Sequence, residues 1–231
     1  MLLLSMLITF LTVFYEVEFD IDLTLLSIAI VFPLVFSIRG SFRRREKALQ
    51  HFSQFRSALK TLDYYITSNR VLSATQKGEM EAMLSTISDR TIAHLGNNHQ
   101  STREVDNSIN AIKNYLLDLG AAAPEKLKDR IYKYLNDLHE GFENLNAINI
   151  HRTPVSLKAY CLLFIYIFPL IYAPTIVYNT HVALGAFIVY FIVLLTQFIL
   201  ITLYNIQDQL EYPFDDDGLD DIKLENFRID R

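Results

Sequence analysis

One cysteine is all the chain contains, Cys161, and it lies inside an apolar stretch. A disulfide framework and a thiolate metal cluster both need more thiols than one chain supplies, so Cys161 reads as packing. Catalytic motifs are missing too. There is no Gly-rich phosphate loop, no Gly-x-Ser-x-Gly elbow and no His-x-x-x-His pair, and the six histidines are scattered at positions 51, 94, 99, 139, 151 and 181. These absences argue against an enzyme. No strand pattern, internal repeat or low-complexity linker is present, and nothing points to nucleic acid.

Charge is the other local absence. The chain is 51% hydrophobic and 20% charged, so the two classes must be segregated for it to fold. Charged residues are missing from Leu23 to Ile38, from Ala159 to Val177 and from Val182 to Tyr204. Roughly 20 apolar residues carry a helix across a bilayer, so the last two stretches qualify as spans. The first has only 16 uncharged residues, but it runs into a basic segment whose side chains can snorkel, and it reads as a span as well. The opening run, Met1 to Tyr15, lacks the basic region and small-residue cleavage site of a signal peptide. It reads as the end of a further span that either starts at the membrane surface or is preceded by other residues.

A net charge of −5 conceals the orientation signal. Arg39, Arg43, Arg44, Arg45 and Lys47 follow the second span, and His151, Arg152 and Lys158 precede the third, whereas Glu16, Glu18, Asp20 and Asp22 occupy the short opposite loop. By the positive-inside rule the basic ends are cytoplasmic. The expectation is a multi-pass, all-α protein of the plasma or inner membrane with four transmembrane helices and both termini cytoplasmic. Residues 1–40 form a first helix pair, 41–153 a helical cytosolic region, 154–206 a second pair and 207–231 an acidic cytosolic tail.

Within the middle region Phe52, Phe55, Leu59, Leu62 and Ile66 recur at steps of three and four, as in one long helix continuing out of the second span. Ser73 with Gln76, and Ser101 with Glu104, have capping-box spacing. Gly96 and Gly120 suit helix ends, and Pro124 suits a first turn ahead of the stripe Ile131, Leu135, Leu138, Phe142 and Leu145. Pro154 breaks the chain before the third span.

Two features invite a functional reading. The acidic run holding Asp215, Asp216, Asp217, Asp220 and Asp221 offers the hard oxygen ligands that calcium prefers. An EF-hand is excluded, because a turn glycine at Gly218 would put the first ligand on Pro213 and the bidentate acid on Leu224; composition alone favours a solvated acidic run. In the second span Ile28, Phe32 and Phe36 recur every four residues and stay within about an 80° arc of one helix face. Lipid contact is the plain reading of that face. Stacked apolar rings that gate a pore by dewetting are the functional one. Pro33, Pro169 and Pro174 interrupt the spans and are common enough in membrane helices to carry little weight.

Three segments resemble the bestrophins, pentameric anion channels, and in particular their compact prokaryotic-type members. They are Leu-Leu-Ser-Ile-Ala-Ile-Val-Phe-Pro-Leu-Val-Phe from Leu25, followed by Arg39, Ser41, Phe42 and Arg44; Arg-Thr-Pro-Val from Arg152; and Asp-Gln-Leu-Glu-Tyr-Pro-Phe-Asp-Asp-Asp-Gly-Leu-Asp-Asp from Asp208. The resemblance covers most of the chain, the middle region matching in helix pattern more than in residues. It implies a homopentamer around a central axis, a passive route for small inorganic anions such as chloride or bicarbonate, and a pore lined by the second helix.

Under the resemblance Ile28, Phe32 and Phe36 fall on the three apolar pore-neck positions, and Arg39, Arg43, Arg44 and Arg45 form a basic cytosolic rim. No cofactor is required. Where the family binds calcium, its clasp is matched by Gln209, Tyr212, Asp217 and Asp220, with Asp216 a neighbouring candidate. Two departures leave calcium open: the amphipathic segment that precedes the family's first span has no counterpart, and Gly218 and Leu219 dilute the acidic run. A second, cytosolic constriction is placed only by guess, at the small residues Ala121 to Ala123. The rival reading is a non-conducting membrane scaffold or sensor whose cytosolic helices recruit a partner.

Overall fold

The computed structural model describes residues 1–97, 101–120, 124–180 and 185–229, and the segment Ala121–Ala123 lies outside them. Seven α-helices follow in chain order among the described residues: α1 (Leu2–Phe14), α2 (Leu23–Ser68), α3 (Ala74–Gly96), α4 (Arg103–Asp118), α5 (Glu125–Ile150), α6 (Val155–Thr180) and α7 (Ala186–Glu211), then a 3₁₀ turn at Leu224–Phe227. No strand occurs among the described residues. The chain forms two units, Met1–Phe42 with Thr153–Glu211, and Arg43–Arg152 with Tyr212–Arg231.

In the first unit, helix α1 is built inside out. In α1 the buried positions are Ser5, Thr9 and Thr12, while Leu3, Met6, Leu7, Phe10 and Phe14 face outward. Small polar residues let α1 approach α6 and α7 closely, and their hydroxyls are satisfied within the helix. Ser5, Thr9 and Thr12 donate to the carbonyls of Met1, Ser5 and Ile8 at 3.3, 2.8 and 2.9 Å. A polar seam inside and a bulky apolar exterior suit a lipid solvent. By length and composition α2, α6 and α7 can each cross a membrane, and the chain is an integral membrane protein. Helix α1, with 13 residues, rises about 20 Å, short of the ~30 Å hydrocarbon core.

Two of the three prolines inside these helices are compensated by a neighbour. Proline lacks the N–H that its i−4 carbonyl needs. Pro33 frees the carbonyl of Ala29, which accepts the Tyr160 hydroxyl at 3.2 Å. Pro169 frees that of Ile165, which accepts the buried Gln197 amide at 3.0 Å. Each freed carbonyl is thereby a tie between helices: α2 to α6 in one case, α6 to α7 in the other.

The second unit has an apolar core. Phe52, Phe55, Leu59, Leu62 and Ile66 of α2 are all buried, as are Ile131, Leu135, Leu138, Phe142 and Leu145 of α5, so both stripes do what their spacing predicts. The two helices approach at Gly141, where a Cβ would stand 3.3 Å from the Phe55 Cα. The Ser73–Gln76 capping box forms in full, with the Ser73 hydroxyl accepting the Gln76 N–H at 3.3 Å and Gln76 Oε1 accepting the Ser73 N–H at 2.9 Å. Gly120, at φ +51°, closes α4 in the left-handed conformation that glycine adopts freely.

Two local expectations shift. The Ser101–Glu104 box is absent, because Thr102 already has helical backbone angles and occupies the cap; Ser101 Oγ instead accepts the Arg103 N–H at 3.2 Å. Pro124 sits one residue earlier than a first-turn position, as the N-cap of α5.

Candidate functional site

Two faces of α2 part company over one short stretch. Ile30 and Leu34 are 2% and 1% exposed and pack with Cys161, Ile165, Phe168 and Leu200, whereas Ile28, Phe32 and Phe36 are 46%, 56% and 60% exposed. Residues two apart on a helix point about 200° apart, so the pattern is one packed side and one open side of the same helix. The open stripe rises about 12 Å from Ile28 to Phe36. Phe32 and Phe36 stack along it with ring centroids 6.1 Å apart, tilted by 39°. About half of each of these side chains is left open among the described residues, so much of this apolar surface is not used in the subunit's own packing. Arg39 continues the open side one turn further and is exposed.

The remaining basic residues belong to the second unit. Arg43 is exposed, Arg44 half-buried, and Arg45 donates through Nε to the backbone carbonyl of Asp220 at 2.5 Å. One member of the expected basic rim is thus committed to holding the acidic loop.

That loop is pinned at both ends. Phe214 and Ile222 are buried in the core of the second unit, with Phe214 edge-on to Phe52 at 5.7 Å. The Ile222 N–H closes it onto the Pro213 carbonyl at 2.9 Å. Of the expected calcium ligands in this unit, Asp216, Asp217 and Asp220 are exposed and Tyr212 is half-buried, its ring lying 4.0 Å beneath the Arg152 guanidinium. Gln209 is exposed on the last turn of α7.

The carboxylate that turns inward is Asp221, which accepts the Gly218 N–H at 2.6 Å. A Cβ at position 218 would stand 2.5 Å from Asp221 Oδ1, so any side chain there would push this carboxylate aside. Burial pushes the Asp221 carboxyl up to about 6; the Gly218 N–H pulls it down, while the hydrogen-bonded Asp215 carboxyl and the charges of Asp215 and Asp216 raise it. Sequence composition saw a solvated acidic run. The aspartates at 216, 217 and 220 fit that description, and Phe214 and Ile222 explain why the run is nonetheless ordered.

A further ionic knot ties α6 to α7 at the ends of the first unit. Lys158 Nζ lies 2.6 Å from Asp208 Oδ1 and 2.9 Å from Glu211 Oε2. Glu211, 3% exposed, also accepts the Thr153 N–H at 2.9 Å and the Gln207 amide at 3.0 Å. The sequence shows these residues but not that they meet, since 53 positions separate Lys158 from Glu211.

No family model and no curated protein matches the chain. Solved structures do. A bacterial bestrophin homologue from Klebsiella pneumoniae aligns at TM-score 0.80 and 15% identity, over 98% of this chain and 91% of that one. A variant of that homologue with one tyrosine replaced by alanine gives 0.79 at 15%, over 98% and 91%. The chain has the bestrophin fold. A membrane protein carrying one glycine-to-alanine substitution aligns at 0.83 and 14% identity, over 98% and 92%. At such identities the bestrophin likeness lies in the path of the backbone, and what individual side chains do has to be argued from their own chemistry.

Proposed function

We propose that the protein is a passive channel for small anions of the chloride or bicarbonate type, working as a homopentamer in the bilayer with α2 around a central axis. The observation that carries this reading is the open stripe Ile28, Phe32 and Phe36 on a helix whose opposite side is packed, within a bestrophin fold. Five copies around an axis make three stacked apolar rings. Such rings gate by dewetting, and the positively polarised edges of Phe32 and Phe36 favour a partly dehydrated anion. Arg39, Arg43 and Arg44 raise the local anion concentration at the cytosolic side. No catalytic step belongs to this reading.

No cofactor is needed for conduction. Calcium, where it acts, would be held by the Gln209 side chain, the Tyr212 carbonyl, Asp217 and Asp220, with Asp216 beside them. The donor set is all oxygen, as that ion prefers.

The experiment is anion flux from liposomes containing the purified protein, with Phe32→Ala and Phe36→Ala in parallel and calcium either supplied or chelated. Wild type is expected to pass chloride, and the alanine variants to change conductance or gating. Absent flux from well-folded wild type removes the channel, and unchanged flux in both variants removes the neck. Particle mass separates the rival: a pentamer fits the channel, whereas a monomer or dimer with the Ile28 stripe in lipid fits a non-conducting scaffold.

A further inference from the structure

In the second unit, away from the acidic loop, three side chains converge across two helices. Asp106 lies in the first turns of α4, and His139 and Glu143 are four residues apart on α5, one turn above one another. One ligand atom from each lies within 4.8 Å of the other two. His139 Nε2 stands 3.7 Å from Asp106 Oδ1 and 3.6 Å from Glu143 Oε1. Both separations exceed hydrogen-bond length, so the groups face a shared point without bonding each other. Asp106 Oδ1 is buried and has no hydrogen-bond partner, a costly condition for a carboxylate oxygen. The space in front of it is an open cavity of about 240 Å³ also lined by Ile109 and Asn110.

We propose that Asp106, His139 and Glu143 form a binding site for a divalent transition-metal ion of the zinc class, clamping α4 to α5. Zinc binds imidazole nitrogen and carboxylate oxygen at about 2.0–2.2 Å, which places tetrahedral ligands roughly 3.4 Å apart. The two separations from His139 need only a few tenths of an ångström of adjustment to reach that, and the carboxylates, within 4.8 Å of each other, close the rest by side-chain rotation. An imidazole in the set disfavours magnesium and calcium, which take oxygen, and favours zinc, nickel or copper. Neutral His139 supplies the Nε2 lone pair and keeps its proton on Nδ1. Three protein ligands leave a fourth position toward solvent, because His139 and Glu143 are both more than half exposed. The bland alternative is a loose surface ion pair; it accounts for the separations, which are ion-pair distances, but leaves Asp106 Oδ1 without a hydrogen bond.

The test uses the full-length protein in detergent, stripped with chelator and free of any histidine tag, titrated with zinc and separately with magnesium. Wild type is expected to take up one zinc per chain, with a rise in thermal midpoint that magnesium does not reproduce. His139→Ala is expected to weaken zinc at least about 100-fold, since even outer partners of metal ligands are worth 10–100-fold. Asp106→Asn and Glu143→Gln each weaken it, and His151→Ala, elsewhere on the surface, leaves it unchanged. His139 is exposed enough that its variant keeps its fold, which far-UV circular dichroism verifies. No saturable zinc in wild type, equal response to magnesium, or full affinity in His139→Ala overturns the site. None of these readouts depends on anion flux, so failure here is distinct from failure of the channel.

Discussion

Replacing Lys158 by methionine is the perturbation to which the first unit should be most sensitive. The substitution keeps the aliphatic stem and deletes the ammonium that faces Asp208 at 2.6 Å and Glu211 at 2.9 Å. Asp208 is half exposed and turns to water at little cost. Glu211 has no such exit: its side chain is 2% exposed, and after the change only the Thr153 N–H and the Gln207 amide remain to it. An uncompensated buried charge costs about 3–5 kcal/mol. Glu211→Gln removes the charge and keeps an acceptor for Thr153, while Lys158 retains Asp208, so its cost should be only about 2 kcal/mol, one charge-assisted hydrogen bond.

The double variant should then be more stable than Lys158→Met alone, because a neutral amide at position 211 no longer needs a counter-ion. Denaturant unfolding in detergent micelles, followed by far-UV circular dichroism, measures all three. A Lys158→Met cost under about 1 kcal/mol, or a double variant no better than that single one, would refute the assignment of Lys158 as the counter-ion of a buried Glu211.

Other consequences can be checked with the same preparation. Tyr160→Phe orphans the Ala29 carbonyl beneath Pro33, and Gln197→Leu orphans the Ile165 carbonyl beneath Pro169. Each is expected to lose about 0.6–2 kcal/mol of helix association, and no loss in either would mean that the freed carbonyls do not depend on these donors. Asp221 holds its proton more tightly in the fold, at about 6 against an ordinary 3.8. The folded state therefore binds the extra proton, so the contribution of Asp221 to stability is fully present below about pH 4 and is lost as pH rises through about 6. Asp221→Asn should flatten that slope in thermal melts, and an unchanged slope would assign it to another group. Flux through Phe32→Ala and Phe36→Ala, and zinc binding by His139→Ala, complete the set.

The helices were legible in the sequence where a single periodicity dominated. Stripes such as Phe52 to Ile66 and Ile131 to Leu145 predict burial because their other sides are polar, and every one of those residues is buried. The same rule misleads in α1, where the outward side is apolar and the buried side is Ser5, Thr9 and Thr12. The Ser101–Glu104 spacing likewise met a backbone already helical at Thr102.

By itself the sequence determined that the chain is all helical and carries its charges apart from its apolar stretches, since periodicity and hydropathy are local properties. It also put Ile28, Phe32 and Phe36 on one side of a helix, because 100° per residue is fixed by backbone geometry. Only the tertiary structure decided which side of α2 is packed, which carboxylate turns onto Gly218, and that Gln197, Tyr160 and Lys158 find partners on other helices. Those choices rest on pairs of atoms many residues apart in the chain, and no spacing rule connects Asp106 on α4 with His139 on α5 until packing brings them to one point.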